Sequence, residues 1–394
     1  MRDNFHDQFS FMSSQLSEYC GNCGFLALFF LFVGTISPVF AQERAYTYYD
    51  EEESMVKEAY FIENGLPHGN YEVYDESGEL IQVGVLIDGK KEGKFIHYYP
   101  GTRDTIRLVT YHNNQREGEA FSWHPSGELA QTASYKNDQL EGEVTAFYPD
   151  GQVRNITYFQ NNVPHGSFKE FYPTGDLAES STYESGVLSG ERFRYDTDGN
   201  LIQKSMYSKG ILDGDEYTYF PDGKISSQIS YSRGVKHGPS ITYFDDGSVE
   251  KKGQYRKGYP DGKFTTYWED GSLEEEALFK NGKRVGETKT YHENGKLKKR
   301  MVYNKKGQST QSEIFDDLGN LLQQSSYQEG LLHGEIKTYY SSGQLKEKIP
   351  YKYGQLDGTY ISHNEVGEIH LERTYQSGRV MREKIHNNPQ PKND

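Results

Sequence analysis

The fold is decided by a stretch that recurs along the chain and reads Gly214-Asp-Glu-Tyr-Thr-Tyr-Phe-Pro221-Asp-Gly223-Lys-Ile-Ser-Ser-Gln-Ile-Ser-Tyr-Ser-Arg-Gly-Val-Lys-His237. Pro221 fixes φ for the first corner of a type I turn, and Gly223 takes the left-handed position. Together they predict a three-residue hairpin loop with a bulge. No window of the chain shows a convincing helical period of apolar residues. Each copy is therefore predicted to be a β-hairpin that a glycine-containing loop joins to the next.

Copies begin 24 residues apart, since 238 − 214 = 24, and two glycine columns follow this period. The first column is at 69, 93, 118, 142, 166, 190, 214, 238, 262, 286, 310, 334, 358 and 382, where Thr310 and Arg382 replace glycine. The second is at 127, 151, 175, 199, 223, 247, 271, 295, 319, 343 and 367. Self-similarity of this kind predicts an all-β, elongated repeat protein, a single-layer antiparallel β-meander of about thirteen 24-residue hairpin units.

Composition agrees with a folded but thin protein. The 394 residues carry a net charge of −15, which argues against a nucleic-acid role that depends on releasing counterions from phosphates. Hydrophobic residues make up only 34%, yet the chain has Tyr 33, Phe 21 and Trp 2, and disordered chains are poor in aromatics. The chain is therefore expected to fold through backbone pairing rather than a thick core.

Four regions follow along the chain. Residues 1–41 are predicted to be a signal peptide, because an apolar, uncharged run ends in Val39-Phe40-Ala41 before a cleavage point at Gln42. Residues 42–68 are interpreted as a degenerate N-terminal capping repeat, 69–382 as the repeat array and 383–394 as a polar C-terminal tail. The mature protein is expected to be secreted or periplasmic. The alternative is a protein anchored by the uncleaved apolar segment.

One face of the sheet is predicted to be aromatic, aliphatic and aromatic in every unit. If alternation is uninterrupted, Tyr219, Ile225 and Tyr231 point to the same side. Such a face stabilises the sheet by cross-strand pairing, and without a second layer it must also curl, self-associate or bind a partner. The candidate binding face comprises Trp123, Phe147, Phe171, Tyr195 and Tyr219 in one column and Tyr135, Phe159, Tyr183 and Tyr207 in the other.

A basic segment interrupts the acidic background between Lys280 and Lys306. Within it, Lys296, Lys298 and Arg300 alternate along one predicted strand and would project from one polar face at about 7 Å intervals. They form a candidate anion strip, with an ordinary solvated face as the alternative.

The sequence carries no catalytic motif of the common hydrolase, metalloprotease or phosphate-binding types, so the protein is predicted not to be an enzyme and to need no cofactor. The column before the first glycine holds His68, His165, His237 and His333, but whole repeats separate them, which is too far for shared metal ligation. This column is predicted to bind the loop backbone by hydrogen bonds.

Two segments, Asn64-Gly65-Leu-Pro-His-Gly69 and Asn281-Gly-Lys-Arg-Val-Gly286, show a recurring Asn-Gly-x-x-x-Gly that Tyr-x-x-Asp-Gly-x-Leu often follows. This pattern resembles the bacterial variant of the MORN (membrane occupation and recognition nexus) repeat. The resemblance implies an elongated antiparallel sheet that acts as a scaffold, and proteins of this type are often labelled antitoxin components. The Gly-x-Trp core of the better-known MORN unit is absent, so the resemblance does not extend to lipid binding.

These observations predict a non-enzymatic exported repeat scaffold that mediates protein–protein binding through an extended aromatic sheet face. The alternatives are an envelope glycan-binding protein, for which Trp123 and Trp268 are the only tryptophans available for stacking, and an antitoxin-like binding protein. The expected partner is another protein or a second copy of the chain. Nucleic acid is not expected, nor is membrane contact once the leader is removed.

Overall fold

The computed structural model describes residues 43–386, so the predicted leader, the Ala41–Gln42 cleavage point and the last residues of the predicted tail lie outside the described range. Within 43–386 there are 34 β-strands and no helix. The strands are β1 Glu43–Tyr48, β2 Val56–Glu63, β3 Leu66–Tyr74, β4 Leu80–Ile87, β5 Lys90–Tyr98, β6 Thr105–His112, β7 Gln115–Trp123, β8 Leu129–Lys136, β9 Gln139–Leu140, β10 Gly142–Phe147, β11 Val153–Gln160, β12 Val163–Phe171, β13 Leu177–Glu184, β14 Val187–Leu188, β15 Gly190–Tyr195, β16 Leu201–Ser208, β17 Ile211–Tyr219, β18 Ile225–Ser232, β19 Val235–Tyr243, β20 Val249–Arg256, β21 Tyr259–Pro260, β22 Gly262–Tyr267, β23 Leu273–Lys280, β24 Lys283–Tyr291, β25 Leu297–Tyr303, β26 Ser309–Phe315, β27 Leu321–Gln328, β28 Leu331–Leu332, β29 Gly334–Tyr339, β30 Leu345–Lys352, β31 Gln355–Leu356, β32 Gly358–His363, β33 Ile369–Gln376 and β34 Arg379–Ile385.

The strands form one open antiparallel sheet in which each strand pairs with the next along the chain, as the repeat predicts. Five of them, β9, β14, β21, β28 and β31, have only two residues, because a bulge splits one long strand into two segments. At the end of the array β34 continues to Ile385 and pairs with β33.

The Pro-Asp-Gly loops have the predicted turn geometry. The Phe220 N–H donates to the Lys224 carbonyl at 2.8 Å, and the Gly223 N–H donates to the Phe220 carbonyl at 2.9 Å. Gly223 has φ +85°, the left-handed value that favours glycine. Tyr219 lies opposite Ile225, as predicted. These loops lie along one side of the sheet, at the ends of the strands, and we call this side the Asp-Gly edge.

At the opposite edge the units are joined by two-residue turns. Arg233 and Gly234 have φ 50° and 77°, which is type I′ geometry and suits the twist of the flanking strands. A bulge follows at the first glycine column, where Gly214 has φ 133° and an added Cβ would lie 2.8 Å from Met206 Cβ. Position 214 therefore requires glycine, because its positive φ disfavours other residues and a larger side chain would collide with Met206. We call this edge the type I′ edge.

One unit departs from this arrangement without interrupting the sheet. Between β25 and β26 the Asn304 N–H donates to the Gln308 carbonyl at 2.9 Å, and Gly307 has φ 84°. Although this turn lies at the type I′ edge, it has the geometry of the loops at the Asp-Gly edge. The first-column position that follows it can therefore be Thr310 instead of glycine. The sheet remains paired across this unit.

A second kind of bulge follows each Asp-Gly loop and changes which residues share a face. Tyr219 pairs with Ile225 whereas Thr218 pairs with Ser227, so Ser226 is an extra residue. Thr218 Oγ1 lies 2.7 Å from Ser226 Oγ and 2.6 Å from Ser227 Oγ, so two consecutive side chains project to one side. Tyr219 and Ile225 therefore lie on one face, face 1. Thr218, its partner Ser227 and, further along the same strand, Tyr231 lie on the other, face 2.

The buried residues concentrate on face 2, in a row to which the long strands contribute one residue each. Phe95 is fully buried, and an added Cβ at Gly84 on the neighbouring strand would lie 2.4 Å from its ring. Phe264 repeats this arrangement, with the ring centroids of Tyr255 and Phe279 at 5.5 and 5.3 Å. We call this set the core row; its members include Gly84, Phe95, Val109, Ala120, Val144, Ser181, Ser205, Gly253, Phe264, Ala277, Thr288, Ser312, Ser325 and Ile336.

Candidate binding surfaces

The predicted aromatic face is divided between the two sides of the sheet. Trp123, Phe147, Phe171, Tyr195 and Tyr219 lie on face 1, whereas Tyr135, Phe159, Tyr183 and Tyr207 lie on face 2. The prediction that both columns share a face is wrong, because the bulge after each Asp-Gly loop shifts the alternation by one residue. All nine side chains are half-buried.

The face 2 column takes part in packing. The Tyr183 ring lies 5.8 Å from Phe168 in an edge-on contact, and the Arg116 guanidinium lies 4.3 Å from the centre of the Tyr135 ring. Phe168 and Arg116 come from the strands next to their aromatic partners. These tyrosines therefore help to cover the core row.

The three residues of the candidate anion strip do not share a face either. Leu297 pairs with Tyr291 and Lys299 with Thr290, so Lys298 is the bulged residue. Lys296 Nζ donates to the Leu318 carbonyl at 2.7 Å. The prediction that these three residues share a face is wrong, because the bulge at Lys298 shifts the alternation by one residue.

Arg300 is also occupied by acidic partners. It binds Glu313 at 2.8 Å and Glu287 at 2.9 Å. The hydrogen bond with Glu313 is the main reason that the pKa of Arg300 is raised above its ordinary value. Its charge is compensated within the sheet.

A surface that the sequence did not reveal lies on face 1, at the type I′ edge. The first residue after the turn is apolar and exposed in five consecutive units. These residues are Val163, Val187, Ile211, Val235 and Tyr259, with exposed fractions of 39, 43, 49, 45 and 61%. We call them the apolar stripe. Its ends are polar, since Gln139 precedes it and Lys283 follows it at the same position of the repeat.

The apolar stripe is held by the turns of successive units. Ile211 pairs with Ser208, two residues from exposed Met206 on the same face. Its side chain packs beside Gly234 of the next type I′ turn, where an added Cβ would lie 3.3 Å from Ile211 Cγ2. Exposed Tyr158 and Leu278 widen the apolar surface at other units.

Paired charges cover the middle of face 1. Lys204 binds Glu191 at 2.7 Å, and Lys263 binds Glu276. Hydrogen bonds with these carboxylates raise the pKa of both lysines. The apolar stripe thus adjoins a polar region whose charges are already partnered.

The histidine column behaves as predicted. The Ser185 N–H donates to His165 Nδ1 at 3.4 Å, and the Tyr353 N–H donates to His333 Nδ1 at 3.4 Å. In another unit Glu141 accepts from the Asn161 N–H at 3.0 Å. The prediction that this column binds the loop backbone is confirmed for His165, His333 and Glu141, whereas His68 lies against Glu63 and Asp88. Among residues 43–386 no cluster of His, Cys, Asp and Glu is arranged to hold a metal ion.

Over the same described range no helix could serve as a membrane span.

Comparison with solved structures shows weak likeness to very large toxin chains. The chain is 11% identical to a chain of the Photorhabdus luminescens Tc holotoxin pore carrying the mutation TccC3-D651A, covering 88% of this chain and 22% of that one, with a TM-score of 0.16. It is 12% identical to a chain of the TcdB2-TccC3 structure, covering 86% and 24%, also with a TM-score of 0.16. The chain thus spans less than a quarter of either one. No curated protein matches it.

Family models identify the repeat itself. A model described as "Uncharacterised protein" matches residues 179–294. The model described as "MORN repeat variant" matches residues 116–137, 140–161, 164–185, 284–305 and 332–353. The antitoxin label finds no support in these comparisons. The five matched segments show that this chain contains MORN repeat variants, and these lie in the single meandering sheet.

Proposed function

We propose that this protein is a non-enzymatic scaffold that binds a protein partner across several consecutive repeats, with the apolar stripe at the centre of the contact. The observation that carries the proposal is the exposure of one apolar side chain per unit in five consecutive units. A run of exposed apolar residues with a polar border is typical of protein interaction sites.

The size of the apolar stripe fits such a role. Two strands at ~4.8 Å spacing advance each unit by about 9.6 Å, so five units extend over about 40 Å. A small domain is about 30 Å across, and a stable interface removes about 800 Å² from each partner. The area that a partner could cover on one unit is too small for a stable interface. Four or five units extend over the width of a small domain and offer enough area.

The test substitutes Val187, Ile211 and Val235 by threonine, which keeps the β-branched shape and removes apolar surface. The control substitutes Val85, Ile87 and Val380, which are also exposed but lie outside the apolar stripe. Immobilised wild-type, stripe and control proteins are incubated with envelope extract from the producing cell, and retained proteins are quantified by mass spectrometry. We expect the stripe variant alone to lose a protein that the wild type retains. Equal retention by all three proteins would contradict the proposal.

The place of action is part of the proposal and rests on the leader. The apolar run that ends at Val39-Phe40-Ala41 favours export and release at Gln42. The partner would then be a protein of the cell envelope or of the exterior. Membrane-bound protein that keeps an intact N-terminus would instead support the anchored form.

A further inference from the structure

Hydrogen bonds between successive loops run along the Asp-Gly edge. The residue that opens each loop often has a polar-tipped ring, which binds the backbone of the next loop. Tyr148 donates to the Phe171 carbonyl at 2.8 Å, and Tyr172 donates to the Tyr195 carbonyl at 2.8 Å. Equivalent contacts to a carbonyl are made by Tyr49, Tyr99, His124, His292 and Tyr340. We call these contacts the inter-loop bonds.

Four consecutive units lack this contact, and the first of them has Asp196, whose carboxylate binds Asn200 of its own loop. Phe220 and Phe244 occupy the same position and have no polar atom to contribute. Trp268 occupies it in the next unit, and its indole Nε1 is buried with no hydrogen-bond partner within the described residues. A buried N–H without an acceptor is costly, so it calls for a specific explanation.

A cavity lies where the inter-loop bonds are missing. It has a volume of about 510 Å³ and is bounded by the aromatic rings of Phe244, Tyr267 and Trp268. The same cavity is lined by five carboxylates and by no lysine or arginine; among the five are Glu250, Glu274 and Glu293.

Within the described part of the chain, no basic side chain forms an ion pair with these carboxylates. Glu250, Glu269, Glu274 and Glu293 appear in no ion pair there. Other acidic residues of this region are paired: Glu275 binds Arg284 at 2.7 Å, and Glu276 binds Lys263. The cavity therefore combines aromatic walls, unpaired negative charge and one buried donor.

We propose that this cavity binds the side chain of a lysine or arginine residue of a basic peptide. Aromatic rings attract an ammonium or guanidinium group through their negative faces, and carboxylates bind it directly. A peptide residue also supplies a carbonyl oxygen, which satisfies Trp268 Nε1 once a rotation of the indole ring exposes this buried atom. The site lies at the edge opposite the apolar stripe and does not depend on the function proposed above.

The first test uses the full chain with Trp123→Phe, which leaves Trp268 as the sole tryptophan reporter. N-acetyl-lysine methylamide is titrated and Trp268 fluorescence recorded. We expect a saturable change, and none with N-acetyl-norleucine methylamide, which has a similar shape but no charge. An equal response to both compounds would overturn the proposal.

Charge is tested by matched pairs of substitutions at one loop position. Glu269 and Glu293 line the cavity, whereas Glu76 and Glu365 occupy the same position in units outside it. Glu269→Gln with Glu293→Gln should weaken binding of the lysine derivative by about tenfold. Glu76→Gln with Glu365→Gln should leave it unchanged. Equal effects of the two pairs would show that only the general acidity of the surface matters.

A third variant distinguishes a peptide residue from a free polyamine. Trp268→Phe keeps an aromatic wall and removes the N–H, so calorimetry should show weaker binding of N-acetyl-lysine methylamide and unchanged binding of spermidine, which has no carbonyl. Undiminished binding of both compounds would overturn the assignment to a peptide residue.

Discussion

Replacing Gly84 by alanine should destabilise the protein, yet the same replacement should stabilise a protein that already lacks the Phe95 ring. In the wild type the added Cβ would lie 2.4 Å from that ring. Phe95 is fully buried and cannot move aside freely, so overpacking should cost about 1–3 kcal/mol. Phe95→Ala alone should cost about 3–5 kcal/mol and opens the space that the Gly84 methyl needs. In that background alanine should gain about 0.5–1 kcal/mol over glycine within a strand.

The coupling between the two sites is therefore expected to be about 1.5–4 kcal/mol, with a change of sign. Because repeat proteins unfold in parts, the assay is hydrogen exchange of the amides of β4 to β6 in the four proteins of the cycle, alongside thermal unfolding. Val85→Ala is the control: Val85 neighbours Gly84 on face 1, is 38% exposed, and should change stability by less than about 0.5 kcal/mol. A Gly84→Ala cost that is the same with and without the Phe95 ring would refute the packing of the core row.

Three further outcomes are expected. The hydrogen bond from the Lys224 N–H lowers the pKa of Asp222 below its ordinary value of 3.8, so this stabilisation is complete above pH 3.8 and is lost as the pH falls through the lowered value. Asp222→Asn should accordingly show a smaller fall in thermal midpoint on acidification than the wild type. Tyr148→Phe removes the 2.8 Å bond to the Phe171 carbonyl and should cost about 1 kcal/mol, seen as faster exchange of amides at that loop. N-terminal sequencing of protein recovered outside the cytoplasm should begin at Gln42.

The turns and the strand order follow from local sequence. Pro221, Asp222 and Gly223 specify their loop by their own backbone preferences, and each hairpin pairs with its neighbour because the connections are short. The period therefore predicts the meander and the residue opposite each turn, such as Ile225 opposite Tyr219.

The two faces could not be predicted in the same way. Ser226 is an ordinary strand residue by composition, and only the ladder on both sides shows that it is unpaired. One such residue moves Tyr231 to the other face. The apolar stripe escaped notice because Val187 and Ile211 look like any apolar strand residues, and their exposure depends on the packing of neighbouring turns. A sign was available, since the position is apolar in five consecutive units and otherwise only at Leu66 and Leu331.

The assignment of residues to faces rests on the bulge at Ser226, which cysteine pairs can test directly. With Cys20 and Cys23 replaced by serine, the chain has no other cysteine. Thr218→Cys with Ser227→Cys should form a disulfide on mild oxidation, because the native side-chain oxygens lie 2.6 Å apart on face 2. Tyr217→Cys with Ser227→Cys should remain as two free thiols, because these side chains lie on opposite faces. Without the bulge Tyr217 would pair with Ser227, so a disulfide in the second protein and free thiols in the first would contradict the account.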